Sequence, residues 1–303
     1  MSTRGEDIEV RVLESTDNSV TILFRNVPLA LLNVIRRYAL AKVPCMAIDE
    51  VMVITNTTAL FDEVIAHRLG LVPLYSEKAL KKYRDPETCA WCGHAEKSEE
   101  PQRPPPEVCK ECFVHMYLEA SANEENIVVY SGDIKSEDPD VYPVYKNIPL
   151  VILAPGQRLI LEMRARLGRG LEHAKWSPAT VSVVKHVADI SVYDERCTGC
   201  GECVKVCPRS VLRIDNGKVV VEKPSECIIC RQCENACKQR ALKVKYKDNE
   251  FILHVESSGA LKASTIVREA LNILIGELDN FIKQAMEWGG TSGGKEKREG
   301  ASL

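Results

Sequence analysis

The chain has 303 residues, which is enough for two or three domains of ordinary size. Hydrophobic residues make up 45% and charged residues 27%, as in soluble globular proteins. The sequence has neither an apolar signal core at its start nor a run of the roughly 20 apolar residues that a membrane span needs. We therefore expect a cytoplasmic protein. The net charge of −3 argues against a protein whose main ligand is nucleic-acid phosphate.

The first seventy residues predict a β-hairpin, a helix, a strand and a second helix. Apolar and polar residues alternate over 8–14 and 19–25, with STDN between them, which indicates the hairpin. A strand is predicted at 48–56 and a helix at 59–70.

The first predicted helix begins at Pro28 and continues to about Ala41. Its apolar face is formed by Leu31, Leu32, Ile35 and Ala39. Its polar face carries Asn33, Arg36 and Arg37. Such a face is either solvated or suited to a protein interface, because arginine holds carboxylates through paired hydrogen bonds.

The middle of the chain predicts a loop followed by a series of strands. The segment EKSEEPQRPPPE at 96–107 is too rich in charge and proline to form an element of its own. The strands are predicted at 113–120, 126–134, 148–153, 158–167 and 179–192.

The last elements are a strand at 249–258 and a long helix at 262–288. Apolar residues in this helix are spaced 4, 3, 4, 3 and 4 residues apart, at Val267, Leu271, Leu274, Leu278, Phe281 and Ala285. This spacing is typical of a helix that packs along another helix, and a length of roughly 40 Å exceeds what a small domain needs. The sequence therefore indicates a partner helix, with burial against its own sheet as the alternative.

The cysteines indicate metal binding. Twelve of the 13 fall in C-x2-C units, and with no secretion signal the metal interpretation is favoured over disulfides. The remaining cysteine, Cys45, lies in the apolar stretch AKVPCMAI and is interpreted as a small buried residue.

Two segments thirty residues apart, CTGCGECVKVCP at 197–208 and CIICRQCENACK at 227–238, share a cysteine pattern in which the fourth cysteine ligates the other cluster. The second segment departs from the pattern, with Lys238 in place of the first segment's Pro208. We predict two [4Fe-4S] clusters; one cluster, a [3Fe-4S] form or zinc are the alternatives. The first cluster's ligands would be Cys197, Cys200, Cys203 and Cys237, and the second's Cys207, Cys227, Cys230 and Cys233.

The other four cysteines form two C-x2-C knuckles, Cys89 with Cys92 and Cys109 with Cys112. This arrangement suits a closed, structural zinc site, in which His94 or His115 is an alternative ligand.

Charge is unevenly distributed along the chain. Between Glu195 and Lys247 there are 12 Lys and Arg against 6 Asp and Glu, a local balance of +6 that leaves −9 for all other residues. This basic segment is interpreted as either a docking surface or a solvated surface.

No motif indicates catalysis. Asp138 and Asp140 in SEDPD have a spacing that can chelate magnesium, but a proline between acids favours a turn. The GRG at 168–170 is too short for a phosphate loop, and no residue pattern marks a nucleophile.

Three stretches resemble one family: 26–74, which begins NVPLALLNVIRR, 168–179, which reads GRGLEHAKWSPA, and 251–288, which begins FILHVESSGAL. They are similar to the D-type subunit of archaeal RNA polymerase, the counterpart of the third-largest subunit of eukaryotic RNA polymerase II and of the N-terminal domain of the bacterial alpha subunit. Some archaeal members carry a ferredoxin-like insertion.

The resemblance implies an α+β fold of three domains and a disordered tail at 291–303. An alpha-subunit-like dimerisation domain would comprise 1–50, 179–193 and 249–290. An inserted, mainly β domain would cover 51–178 and contain the zinc loop 89–112, and a ferredoxin-like two-cluster α+β domain would cover 194–248. The cysteine spacing at 89–112 is wider than in the eukaryotic relatives, so the geometry of a zinc site there does not follow from the resemblance.

The resemblance also implies a non-catalytic assembly subunit of DNA-directed RNA polymerase, a nucleotidyltransferase. Its long helix would pair with the small alpha-like subunit L through Val267, Leu271, Leu274, Leu278 and Phe281. Its first helix would engage the large B-type subunit through Asn33, Arg36 and Arg37. Subunits N and P would be further partners, and DNA would be reached only through the complex.

The iron–sulfur domain has two interpretations. Clusters supply folding free energy to a domain too small to be stable by burial alone, so we favour a structural or assembly-regulating role. The alternative is an electron-transfer subunit of an oxidoreductase, which accounts for only about 50 residues. A zinc-dependent DNA-binding protein is disfavoured, because the candidate zinc loop is rich in Glu and Pro.

Overall fold

The computed structural model describes residues 7–90, 92 and 106–291. The loop predicted at 96–107 lies outside these residues except for its last two positions, and so does the predicted tail except for Thr291. The fold is α+β, as predicted. Within the described ranges, no helix is both long enough and apolar enough to cross a membrane.

The strands are β1 (Glu9–Ser15), β2 (Ser19–Arg25), β3 (Pro44–Asn56), β4 (Phe113–Ser121), β5 (Ile127–Tyr130), β6 (Lys135–Ser136), β7 (Pro149–Leu153), β8 (Arg158–Arg169), β9 (Ala179–Val192), β10 (Leu212–Asp215), β11 (Lys218–Val221) and β12 (Leu242–Ser257). The helices are α1 (Leu29–Ala41), α2 (Asp62–Gly70), α3 (Ala79–Lys82), α4 (Pro86–Ala90), α5 (Pro106–Lys110), α6 (Glu202–Lys205), α7 (Gln232–Ala236) and α8 (Ala263–Thr291).

The described residues form two compact units. Those up to 36, together with 181–256, make up the first unit, and those from 37 to 180, together with those after 256, make up the second. This division separates the strands of the expected dimerisation domain from its long helix. The domain boundaries given above stay a prediction.

The first unit contains a four-stranded sheet in the order β1-β2-β12-β9. Along β2 the residues alternate, and Val20, Ile22 and Phe24 are buried, as the period of two predicts. The strand β1 pairs antiparallel with β2 but is exposed along its whole length.

The cysteine repeat lies between β9 and β12, which are neighbours in this sheet. Its two ends meet, since the backbone N–H of Tyr193 donates to the carbonyl of Ala241 at 2.8 Å. The repeat therefore occupies the position of a loop that joins two adjacent strands.

The second unit has its core on a sheet in the order β3-β8-β4-β6. Met46, Leu161 and Met116 contribute to this core from its three longer strands, and α2 adds Ile65 and Leu69. Each of these side chains is at most 1% exposed, so the core excludes water.

Two predicted elements are shorter than expected because of turn chemistry. The strand predicted at 126–134 ends at Tyr130, where a 3-10 turn over Ser131–Asp133 begins and the Asp133 carboxylate accepts the Tyr130 N–H at 2.8 Å. The helix predicted from residue 59 begins at Asp62, because the Asn56 side chain accepts the Thr58 N–H and donates to the Leu60 carbonyl.

In α1 the buried stripe is narrower than predicted. Leu32, Ile35 and Ala39 are at most 3% exposed, whereas Leu31 is 39% exposed. Leu31, which the sequence placed on the same apolar face, lies at the edge of the buried stripe and stays partly accessible.

Candidate metal centres

The cysteine repeat is symmetric in its backbone. Gly199, Gly201 and Ser210 have φ angles of 70°, 77° and 48°, and the residues thirty positions later, Ile229, Arg231 and Arg240, have 56°, 58° and 50°. The short helices α6 and α7 follow the second residue of each set. Each half of the repeat thus makes the same tight turns around its cysteines.

One cavity of the repeat has a volume of about 300 Å³. Its lining includes one complete predicted ligand set, Cys197, Cys200, Cys203 and Cys237. Three of these cysteines come from the first half of the repeat and Cys237 comes from the second.

A second, tighter cavity is lined by the other set, Cys207, Cys227, Cys230 and Cys233. Here Cys207 is the residue contributed by the opposite half. None of the eight cysteines is in a disulfide, and members of both sets pack in one apolar core with Val211, Val219 and Leu242. Four thiols around one space are the donor set that an iron–sulfur cluster requires, so the residues present fit this group.

The two crossing cysteines are positioned by backbone hydrogen bonds. Cys207 Sγ accepts the Val211 N–H at 3.4 Å, and Cys237 Sγ accepts the Ala241 N–H at 3.2 Å. Such bonds tune the reduction potential of a bound cluster. Sequence analysis did not identify these donors. In each half the donor lies four residues after the crossing cysteine, and this equal spacing is a signal that could have found them.

Burial raises the pKa of two of the thiols. The pKa of Cys203 lies above its ordinary value, and that of Cys233 rises to about 11, in both cases mainly by desolvation. Desolvation therefore makes the deprotonation that metal binding requires less favourable at these two thiols.

The four cysteines predicted to bind zinc also come together, but the structure pairs them differently. It joins Cys89 to Cys112 and Cys92 to Cys109 as disulfides, and all four belong to one buried cluster with Phe113. The structure thus departs from the predicted site of four thiolates. Four sulfurs that lie this close together can either bond in pairs or, when reduced, ligate one ion. Convergence of the two knuckles is common to both states, and zinc stays a prediction.

Of the two alternative zinc ligands, the structure describes His115. His94 lies outside the described residues. His115 stands on β4 and lines a groove with Glu50 and Arg164.

The remaining sequence candidates have structural roles. The carboxylate of Asp138 accepts the Asp140 N–H at 3.0 Å and closes the expected turn. Burial alone would raise the pKa of Asp138, but hydrogen bonds from Lys82 and Tyr83 outweigh it and lower the pKa. Cys45 is 2% exposed, and burial raises its pKa to about 12, which agrees with the inert role expected of it.

The predicted seam of α8 is buried at its start and exposed beyond. Val267 is 6% exposed and Leu274 is half-buried, whereas Leu271, Leu278 and Phe281 are 38%, 51% and 66% exposed. Sequence analysis missed three further exposed apolar residues on this helix, Ile275, Ile282 and Met286. Together with Leu271, Leu274, Leu278 and Phe281, they form what we call the α8 seam.

The polar face of α1 is accessible. Asn33 and Arg36 are half-buried and Arg37 is exposed. No ion pair within the described part of the chain engages either arginine.

A contact that the sequence did not predict links the end of α1 to α8. The carboxylate of Glu277 accepts a hydrogen bond from Tyr38 Oη at 2.5 Å and pairs with the ammonium group of Lys42. The bond from Lys42, followed by that from Tyr38, lowers the pKa of Glu277. The contact joins α8 to the end of α1 between Ile275 and Leu278 of the seam.

Comparison with known proteins defines the class that this fold and these sites belong to. Residues 51–185 match the RNA polymerase Rpb3/RpoA insert domain, and residues 178–242 match a 4Fe-4S dicluster domain. The chain is thus an RNA polymerase subunit of the type that carries an insert domain, with an iron–sulfur module added.

Several relatives match nearly the whole chain. The DNA-directed RNA polymerase subunit Rpo3 of Aeropyrum pernix is 39% identical, over 93% of this chain and 95% of its own length. The Rpo3 proteins of Archaeoglobus fulgidus and Methanothermobacter thermautotrophicus are 37% and 38% identical, over 91% of this chain and at least 97% of their own lengths. The chain belongs to the Rpo3 family of DNA-directed RNA polymerase subunits.

Proposed function

We propose that this chain is a non-catalytic assembly subunit that pairs with the small alpha-like subunit L and docks the large B-type subunit. The α8 seam carries the proposal. Five of its side chains are about half exposed or more, namely Ile275, Leu278, Phe281, Ile282 and Met286. A continuous apolar stripe of this kind on a helix is stable in water when a second helix covers it.

The α1 helix supports the second contact. Its buried stripe holds it in place, while Arg36 and Arg37 keep their guanidinium groups available to carboxylates of a partner. The Glu277 contact joins the end of α1, at Tyr38 and Lys42, to α8.

The pairing is tested by charge substitution on the seam. We expect Leu278→Glu with Phe281→Glu to abolish the 1:1 heterodimer on anaerobic co-expression with subunit L, because burying a carboxylate in an apolar interface is strongly unfavourable. Both side chains are exposed in the free chain, so its own melting temperature should change little. Native mass spectrometry reads out the complex.

Asn280→Glu with Lys283→Glu is the matched control. Both residues are exposed, are spaced like the tested pair and lie off the seam, so the heterodimer should persist. A seam variant that still forms the heterodimer would contradict the proposed role of α8.

We further propose that the iron–sulfur module serves assembly and that the four-cysteine loop binds zinc. When bound, two [4Fe-4S] clusters would cross-link the halves of the module through their thiolates. Native mass spectrometry of the heterodimer should then find about eight irons, from four per cluster, and one zinc.

Cys200→Ser separates the assembly role from electron transfer. We expect this variant to impair formation of the complex more than RNA synthesis by polymerase that is already assembled, because cluster loss removes folding free energy from the module. Equal assembly of the variant and the unmodified chain would contradict this role.

A further inference from the structure

A concave pocket of about 570 Å³ opens at the side of the iron–sulfur module. Its charged lining consists of Arg196, Lys238, Arg240 and Lys243 against a single acid, Glu234. All four basic side chains are exposed, whereas Glu234 is half-buried and its carboxylate accepts the Val244 N–H at 3.1 Å. The pocket therefore presents four cations and no comparably free carboxylate.

Three other cations of the module are neutralised by neighbouring carboxylates. Lys205, Arg213 and Lys247 pair with Glu202, Asp215 and Glu250. In the described part of the chain no ion pair is formed by any of the four cations of the pocket. Lys238 has only a distant influence on Glu202, whose pKa is lowered first by Lys205 and less by Lys238.

The lining does not resemble the centre of a protein interface. Such centres are rich in exposed aromatic and aliphatic side chains and poor in lysine. Here Leu242 is only 3% exposed, and the guanidinium of Arg196 stacks on the ring of Tyr193 at 5.2 Å. Apart from Tyr193, which is 43% exposed, the exposed part of the lining is positively charged or polar.

We propose that this pocket binds the phosphodiester backbone of a nucleic acid strand. A strand of nucleic acid carries one negative charge per roughly 3.4 Å along the duplex axis, which matches several cations gathered in one pocket. The net charge of the whole chain, −3, does not reveal this surface, because the charge of +6 on residues 195–247 is offset by −9 on all other residues. Contacts from lysine and arginine to phosphates carry no information about the bases, so the contact would be independent of base sequence.

The test uses the full chain, purified anaerobically with its clusters, and fluorescein-labelled 20-mers of mixed sequence as single-stranded DNA, duplex DNA and single-stranded RNA. Fluorescence anisotropy is measured at several salt concentrations from 50 to 200 mM. We expect Arg240→Glu with Lys243→Glu to weaken binding at least about tenfold and to reduce the salt slope by about two, one for each phosphate contact.

Lys223→Glu with Lys245→Glu is the control, because it changes the net charge of the module equally at exposed positions outside the pocket. It should alter affinity less than about twofold. Equal losses in both variants, or no saturable binding at 50 mM salt, would overturn the proposal. So would displacement of the DNA by polyglutamate at equal charge concentration, which would reassign the pocket to an acidic protein segment.

Iron content and visible absorbance show whether each variant retains its clusters. If the double charge reversal loses them, Arg240→Gln with Lys243→Gln replaces it. These neutral variants should still weaken binding severalfold, and unchanged affinity with intact clusters would count against the pocket.

Discussion

Gly199 and Gly201 share a left-handed backbone but differ in their surroundings. A Cβ on Gly199 would lie 2.3 Å from the carbonyl oxygen of Gly217, whereas nothing lies within 4 Å of a Cβ on Gly201. Strain from positive φ is therefore common to both positions, and steric crowding is confined to Gly199.

This contrast yields a prediction for the module. Gly201→Ala should cost about 1–2 kcal/mol of stability from the left-handed conformation alone. Gly199→Ala should cost distinctly more, because the backbone of Gly217 must also move. Thermal unfolding of both variants, followed anaerobically by the visible absorbance of the clusters, compares them. Equal losses would mean that the close approach to Gly217 does not matter.

At the residue scale the sequence indicated which cysteines group together, but it did not indicate the backbone conformation between them. The cysteine spacing grouped the eight thiols into the two sets that line the two cavities, because ligand spacing reflects the shape of the bound group. It could not predict that Ile229 and Arg231 occupy the left-handed positions that Gly199 and Gly201 occupy in the first half. Non-glycine residues are uncommon there, so their identity carries no signal.

At the scale of elements, one side chain of β8 contacts the residue after α1 and the residue before α4. Arg169, at the end of β8, donates to the carbonyl of Lys42 at 2.7 Å and pairs with Asp85 at 3.2 Å. Its side chain is only 18% exposed. Asp85 lies directly before α4, whose Cys89 belongs to the four-cysteine cluster.

Replacing this arginine should loosen the second unit. We expect Arg169→Ala to destabilise the protein by about 2 kcal/mol, the range for loss of a shielded charged hydrogen bond. Arg158→Ala is the control, since its pair with Glu119 is exposed and should contribute less than about 1 kcal/mol. Chemical denaturation of both variants gives the two free energies of unfolding, and similar values would refute the role of Arg169.

Element boundaries were predictable where periodicity was strong. The strand at 179–192 agrees with its prediction, and α8 differs from it by only a few residues. The sequence could not decide whether the helix seam packs on its own sheet or on a partner, because both give the same spacing. In the structure Val267, near the start of the helix, is buried, whereas Phe281 is exposed, so packing within the chain accounts for only the first part of the seam.

At the scale of the whole molecule, the iron–sulfur module is an addition to a sheet that is otherwise continuous. Since β9 and β12 are neighbours and the ends of the module meet at Tyr193 and Ala241, residues 194–240 can be replaced by a two-residue Asn-Gly turn. We expect this deletion variant to fold, with a circular dichroism spectrum that retains the sheet signal.

The deletion also measures what the module contributes. If the clusters serve assembly, the variant should form less complex with its polymerase partners than the complete chain, although α1 and α8 are unchanged. Wild-type levels of complex would show that the module acts elsewhere. The position of the cysteine repeat between two strands was predictable because the repeat is compact in sequence. The division into two units was not, since it depends on contacts distant along the chain.

The crossing of Cys207 and Cys237 has a consequence for how such a module can be inherited. Because the two halves are similar, the repeat suggests that each half could bind a cluster without the other. Here each half supplies the closing ligand of the other half's cavity. Deletion of either half would leave both cavities with an incomplete ligand set, so neither half of the repeat can be inherited alone with a complete site.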